Sequence, residues 1–123
     1  MYEVVFFSTR SGREPVRDWL NTLAEHQKKT VFKDISLVAS QFPKVLRRSL
    51  LRKMKGHKDI WEIRTRLDKV SVRIFFLEYD FKIILLHYIY KKTRKTPSKD
   101  LNIVGNRRRE YLLFLDRGDH EKK

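Results

Sequence analysis

The order of the segments along the sequence predicts an α+β fold, in which a twisted antiparallel sheet carries an N-terminal helical hairpin on one face and a C-terminal helix. Two observations support this. Strand-like runs cluster between residues 60 and 90, and runs with helical periodicity lie before and after them. Closely spaced strands form antiparallel meanders, and segregated helices pack on such sheets. The 123-residue chain suits one domain, assigned to residues 1–117, with a polar tail at residues 118–123.

The N-terminal third of the chain predicts one strand and two helices. Residues 2–7 are rich in β-branched and aromatic residues, which favour a strand. Pro15 begins a helix, because proline suits the first helical position, and the apolar residues after it recur with helical spacing. A second helix extends from about Glu25 to Gln41 and ends at Phe42-Pro43. The short connection between the two helices predicts a hairpin.

Three strands and a final helix complete the predicted fold. The run that begins at Ile60 alternates apolar and polar residues, whereas the run that ends at Tyr90 is apolar on both faces and is expected to be an internal strand. Pro97-Ser98 begins the last helix. We expect the sheet face opposite the hairpin to be concave or open to solvent. The predicted strands are residues 60–66, 70–79 and 81–90.

The composition excludes several classes of protein. Without cysteine the chain has no disulfide framework, zinc ribbon, iron–sulfur cluster or thiolate nucleophile. No apolar run approaches the roughly 20 residues that span a bilayer, and Met1 leads directly into a strand-like segment. The histidines are too far apart to give a local metal-ligand spacing. We therefore expect a soluble, cytoplasmic protein with no metal or other cofactor.

The charge distribution indicates a polyanionic partner. The net charge is +14; residues 1–43 carry six Lys or Arg against five Asp or Glu, whereas residues 44–123 carry 23 against ten. Such an excess either keeps a protein soluble or attracts nucleic acid or an acidic protein, and we favour the second reading. Residues 44–58, with seven cations and no anion, predict a short helix and then an irregular loop that contains Gly56.

Two arginines of the predicted sheet are candidates for phosphate binding. If Ile63 enters the core, the alternation of side chains places Arg64 on the opposite face. Arg73 lies in an apolar strand, where an arginine is costly unless it is paired or used. It either forms an ion pair with Glu62 or Glu78, or binds a phosphate through its planar guanidinium.

Other candidates are less specific. The basic residues 91–97 follow the last strand, a common location for functional sites, and with residues 44–58 they predict a groove for a phosphate backbone. His87, inside an apolar strand, is either a hydrogen-bonded core histidine or a proton shuttle. A serine triad stays open, since its members need not be close in sequence. The cations assigned to the groove are Arg47, Arg48, Arg52, Lys53, Lys55, Arg94 and Lys95.

Five short segments carry a resemblance to a known family. They are Trp61-Glu62-Ile63-Arg64, Val72-Arg73-Ile74, Leu85-Leu86-His87, Lys91-Lys92-Thr93 and Lys95-Thr96-Pro97. In order and spacing the chain resembles the RelE/HigB-like toxins of bacterial type II toxin–antitoxin pairs, and within them the phage-related HigB branch. The resemblance implies a RelE-like fold and a metal-free endoribonuclease that cuts messenger RNA on the ribosome and so inhibits translation.

The resemblance also implies roles for individual residues. Arg73 is similar to the family's phosphate-binding arginine, and Lys91 and Lys92 are similar to the basic pair that follows the last strand. Arg64 lies on the strand that bears catalytic lysines in some members, and Glu62 occupies the other such position here. Lys92 is our leading candidate for the acid or base, or for a group that stabilises charge. The residues to which we assign catalysis are Arg64, Arg73, Lys91 and Lys92, with His87 as a further acid–base candidate.

The implied partners are the ribosome with its messenger RNA and a cognate antitoxin, either a helix-turn-helix or an acidic protein. The groove cations would then contact RNA or the ribosome. Two other functions are compatible with the sequence: a ParE-like inhibitor of a topoisomerase on the same fold, and a nucleic-acid-binding module without catalysis. Cleavage of translated messenger RNA would distinguish the first reading from both.

Overall fold

The computed structural model has five strands in one sheet and three helices, and it describes residues 1–45, 48–57, 59–91 and 95–121. The predicted α+β class is confirmed. The strands are β1 (Glu3–Phe6), β2 (Leu51–Lys53), β3 (Ile60–Leu67), β4 (Val70–Tyr79) and β5 (Lys82–Tyr90). The helices are α1 (Pro15–Leu20), α2 (Glu25–Gln41) and α3 (Ser98–Glu121). Across the sheet the strand order is β1-β5-β4-β3-β2, so β5 is internal, as the sequence predicts.

The sheet is mixed, which corrects the prediction of an antiparallel sheet. Strands β3, β4 and β5 form the predicted antiparallel meander, and β2 adds to it in the antiparallel direction. Strand β1, however, pairs with β5 in the parallel direction, with Glu3 opposite Lys82. A parallel pair needs a long crossover connection, and here two helices and three strands separate β1 from β5 along the chain.

Helices α1 and α2 cover one face of the sheet with the apolar stripes that the sequence predicts. Val16 of α1 and Val31 of α2 are fully buried in the same core cluster as Ile63 of β3. Thr65 of β3 donates a hydrogen bond of 2.5 Å to the buried carboxylate of Asp34 on α2, which fixes the helix against the sheet. The buried residues of this layer are Val16, Trp19, Leu20, Val31, Ile35, Val38, Ala39, Leu50, Ile63, Leu67, Val72, Ile74, Phe76, Ile83 and Leu85.

Helix α3 packs on the other face, so the open face expected opposite the hairpin is covered there. Val104 of α3 is buried in the same core cluster as Phe75 of β4 and Ile84 of β5. Arg108 donates two hydrogen bonds, of 2.9 and 2.8 Å, to the carboxylate of Asp59, which anchors the middle of the helix. The helix extends past residue 117, where the sequence predicts a polar tail.

The segment between α2 and β3 differs from the predicted helix and loop. Arg48–Leu50 form a short 3₁₀ helix, and the next residues form the edge strand β2, in which Leu51 lies opposite Ile63. A longer helix would place like charges one turn apart with no anion between them. An edge strand instead turns its charged side chains to water. Residues 46, 47 and 58 of the predicted segment lie outside the described residues.

Candidate functional site

Strand register gathers three arginines on the face of the sheet opposite α1 and α2. Because Ile63 enters the core, its neighbours Glu62 and Arg64 point to the other face. Arg73 on β4 lies directly opposite Arg64 on β3. On the other side of β3, Arg52 of β2 lies directly opposite Glu62. The predicted placement of Arg64 on this face is therefore confirmed.

One carboxylate lies among these arginines. Glu62 is buried, with 6% of its surface exposed, and its Oε1 lies 3.2 Å from Nε of Arg64 and 3.9 Å from Nε of Arg73. The first distance is a hydrogen bond, whereas the second is an ion pair beyond hydrogen-bond reach. The buried Nε of Arg73 has no hydrogen-bond partner among the described residues. The ion pair with Glu62 therefore leaves part of the Arg73 guanidinium available to another acceptor.

Lys91 joins the arginines at the end of β5. Its backbone N–H donates a 2.8 Å hydrogen bond to the carbonyl of Ser71, which keeps the chain beside β4. Partial burial lowers the pKa of Lys91 from its usual value; Glu62 opposes this, and the positive charges of Arg73, Arg64 and Arg52 add to it.

We call Arg52, Arg64, Arg73 and Lys91 the cation cluster. Burial also lowers the pKa of Arg73, and the neighbouring positive charge of Arg64 is the second cause. A guanidinium stays protonated in proteins in spite of such a shift. Within the described part of the chain, the four cations face the single carboxylate of Glu62 and leave a local excess of positive charge. Such a surface attracts an anion with several oxygens, such as a phosphodiester.

The remaining predicted cations do not all converge. Lys53 lies on the opposite face of β2, with its Nζ 5.9 Å from the ring centroid of Trp61. Lys55 is exposed in the turn after β2, and Lys95 is exposed in the bend before α3. Arg48 begins the 3₁₀ helix. Arg47, Lys92 and Arg94 lie outside the described residues.

His87 occupies a hydrogen-bonded position between β5 and α3. Its Nδ1 lies 3.2 Å from Nη1 of Arg107, and its Nε2 lies 2.8 Å from Oδ1 of Asp100. Because a guanidinium only donates, Nδ1 accepts and Nε2 carries the proton of a neutral ring. Burial lowers the pKa of His87; the hydrogen bond to Asp100 opposes this shift, and the charge of Arg107 adds to it. Both ring nitrogens are thus engaged with protein groups.

An open cleft of about 810 Å³ lies along the free edge of β5, and the sequence does not predict it. Its walls are α1, the loop between β1 and α1, and the end of β5. Trp19 of α1 meets Tyr88 and Tyr90 of β5 there, although 71 positions separate Trp19 from Tyr90. The sequence contains one local indication of the cleft. Tyr88 and Tyr90 are two positions apart in a predicted strand and so share one face, and Trp19 lies among the apolar residues of the first predicted helix.

Two searches bear on the identity of the chain. A family model described as phage-derived protein Gp49-like (DUF891) matches residues 18–109, well over half of the chain. The matched segment contains the whole cation cluster and the aromatic residues of the cleft. A search of curated proteins finds no match. Among the residues that the structure describes, no helix is long and apolar enough to cross a membrane.

Proposed function

The chain belongs to the phage-derived Gp49-like family, and from this membership we propose that it is the toxin of a bacterial toxin–antitoxin pair that cleaves messenger RNA on the translating ribosome. The family is RelE-like and toxin-like, which agrees with the resemblance to the HigB branch. The observation that carries the proposal is the cation cluster, in which Arg64 and Arg73 share one buried carboxylate with Arg52 and Lys91 beside them.

The proposed reaction is a transesterification within the RNA. The 2′-oxygen of a ribose attacks the adjacent phosphorus, the bond from phosphorus to the 5′-oxygen breaks, and the products carry a 2′,3′-cyclic phosphate and a 5′-hydroxyl. Negative charge grows on the phosphoryl oxygens and on the leaving oxygen. Guanidinium groups held in position before the reaction stabilise this charge, and losing one comparable donor costs about 10²–10³ in rate. In the proposal Arg64 and Arg73 are these donors.

The reaction also moves two protons, one from the 2′-hydroxyl and one to the leaving oxygen. A lysine that is partly buried and lies beside other cations loses its proton more easily, so the lowered pKa of Lys91 suits it to accept the first proton. Lys92 keeps its role as our leading acid or base through the resemblance alone. His87, whose nitrogens contact Asp100 and Arg107, is the weaker candidate for either transfer.

The proposal includes partners. The exposed side chains of Lys55 and Lys95 would bind the phosphate backbone of messenger or ribosomal RNA without reading its sequence. A cognate antitoxin, of helix-turn-helix or acidic type, would neutralise the positive surface. The site of action would be the cytoplasm, where messenger RNA is translated.

Induction of the protein in a bacterial host tests this function. Wild-type protein should arrest growth and fragment translated messengers, while plasmid supercoiling stays unchanged. Arg73→Ala should greatly reduce the fragmentation, and Arg109→Ala, which removes an exposed cation of α3, should not.

Growth arrest with a loss of supercoiling and intact messengers would indicate a topoisomerase inhibitor instead. Undiminished cleavage by both Arg73→Ala and Lys92→Ala would refute catalysis by these residues.

A further inference from the structure

The cleft along the free edge of β5 contains aromatic side chains held in fixed positions. The rings of Trp19 and Tyr88 stack with centroids 4.4 Å apart and planes 12° from parallel. The indole Nε1–H of Trp19 donates a 2.8 Å hydrogen bond to the hydroxyl of Tyr90, and the Tyr88 and Tyr90 rings meet edge to face at 6.2 Å. These contacts fix the Tyr90 ring in one orientation before any ligand arrives.

Tyr90 differs from its two partners in exposure. Trp19 is buried, with 5% of its surface exposed, whereas Tyr90 is 43% exposed at the cleft. An aromatic ring that only completed a core would be covered. A ring that is oriented by a partly buried hydrogen bond and still open to solvent suits stacking against a flat ligand, because little conformational entropy is lost on binding.

The polar side chains of the cleft also suit a nucleotide. Arg13 and Arg107 line it and supply positive charge. The exposed carboxylate of Asp18 on α1 also lines the cleft and can accept hydrogen bonds from the amino or ring N–H groups of a nucleobase.

The cleft reaches the cation cluster around the free edge of β5. Strand β1 pairs with β5 only as far as Leu85, so no strand of the described chain covers the edge of β5 from His87 to Tyr90. Tyr88 and Tyr90 lie on the face of α1, whereas Ile89, which also lines the cleft, lies opposite Arg73 on the face of the cluster. A single-stranded chain that passes around this edge can therefore place a phosphate on the cluster and a base in the cleft.

We propose that this cleft binds an unpaired base of single-stranded RNA by stacking on Tyr90, in a chain whose phosphate is bound at the cation cluster across the free edge of β5. The inference rests on the proposed function, since it takes RNA as the polyanion. Base–aromatic stacking tolerates any base, because every base has a π-face, and its loss weakens binding by about tenfold or more.

Binding of two short oligonucleotides tests the inference. One is a 2′-O-methyl hexanucleotide of adenines, which lacks the attacking hydroxyl, and the other is an abasic hexanucleotide of equal charge. Wild-type protein should bind the adenine oligonucleotide about tenfold more tightly. Tyr90→Leu should remove this preference and leave the affinity for the abasic chain unchanged. Phe81→Leu removes a ring that is 72% exposed just before the other end of β5, and this variant should retain the preference for the adenine oligonucleotide.

A spectroscopic measurement on the wild-type protein makes the test independent of whether Tyr90→Leu folds. The chain has two tryptophans, Trp19 and Trp61, whose indole N–H resonances can be followed by NMR. The adenine oligonucleotide should shift the Trp19 resonance and not that of Trp61, and the abasic chain should shift neither. Equal shifts of Trp19 with both chains, or no shift at saturation, would overturn the inference.

Failure of the proposed function gives a different result. In that case induction of the wild-type protein leaves translated messengers intact, while Tyr90→Leu still removes the preference for bases. The converse result is that the wild-type protein binds the adenine and abasic oligonucleotides equally, with both affinities reduced by Arg73→Ala. That result would overturn binding of a base in the cleft and would support binding of phosphate at the cation cluster.

Discussion

Glu62 and His87 show how a single polar side chain organises its surroundings. Within the described residues, Glu62 is the carboxylate that both Arg64 and Arg73 approach, so it holds two like charges on neighbouring strands without neutralising both. His87 joins Asp100 and Arg107 of α3 to β5 as a neutral ring. The first residue positions the candidate site, and the second fixes the helix beside it.

The neutral state of His87 predicts a loss of stability in mild acid. The pKa of His87 is lowered in the folded protein, mainly by burial. In the unfolded chain its pKa is the usual value of about 6.5, so as the pH falls the unfolded chain takes up a proton at this ring before the folded protein does. The stabilisation is complete above that pH and is lost as the pH falls toward the folded-state pKa. Urea unfolding of the wild type should therefore show a free energy that decreases between pH 7 and pH 5.

The His87→Asn variant should show a smaller decrease over this range, because it removes the titrating ring. The matched control, His26→Asn, replaces an exposed histidine of α2 and should keep the wild-type dependence. Equal pH dependence in His87→Asn and the wild type would show that His87 is not the titrating group.

The sequence predicts those parts of the site that depend on strand alternation. The side of the sheet that Arg64 occupies follows from the burial of Ile63, and Glu62 was one of two partners expected for Arg73. The cleft was not predicted, because Trp19 and Tyr90 meet through the parallel position of β1 and the docking of α1. Those are long-range arrangements, and the local pattern shows only that Tyr88 and Tyr90 share one face of a strand.

The two hairpin turns of the meander illustrate strain within an element. In the turn between β4 and β5 both Asp80 and Phe81 have positive φ, of 51° and 58°. In the turn between β3 and β4, Asp68 has a positive φ of 56°, and Lys69 does not. A β-hairpin favours positive φ because that twist matches the strands, but a side chain such as that of phenylalanine is strained there.

Phe81→Gly should therefore stabilise the protein. Relief of the left-handed conformation is worth about 1–2 kcal/mol, and the lost contact between Phe81 and Tyr2 and the freer unfolded chain offset part of it. We expect a net gain of about 0.5–1 kcal/mol, measured by thermal or urea unfolding. Lys69→Gly, at the corresponding position of the other turn, should be destabilising. A loss of stability in both variants would contradict this account of the turn.

The helices and the meander could be predicted because their signals are local. The helix α2 and the strand β4 have the bounds expected from periodicity and from the residues that end them. The strand β2 could not be predicted from the sequence, because its three residues form a strand only by pairing with β3. The parallel pairing of β1 could not be predicted either. Strand β4 pairs with one edge of β5, and β1 pairs with the other edge, which is an arrangement of the whole sheet.

Charge is distributed unevenly along the molecule: the N-terminal part is nearly neutral, and the remainder is strongly cationic. Residues 1–43 contribute β1 and the helical layer, and residues 44–123 contribute the four other strands, α3 and the cation cluster. The net charge of +14 attracts RNA from any direction, and this attraction weakens with salt. In the proposal the cation cluster has a separate effect, because it determines where the scissile phosphate binds.

The initial rate of messenger cleavage in a reconstituted translation reaction separates these two effects. Arg73→Ala and Lys53→Ala each remove one positive charge, but Arg73 belongs to the cluster and Lys53 lies on the opposite face of the sheet. With saturating ribosomes, Arg73→Ala should lower the rate by about 10²–10³, while Lys53→Ala changes it by no more than a few-fold. Equal reductions in the two variants would contradict the account, because overall charge rather than the gathered cations would then govern the reaction.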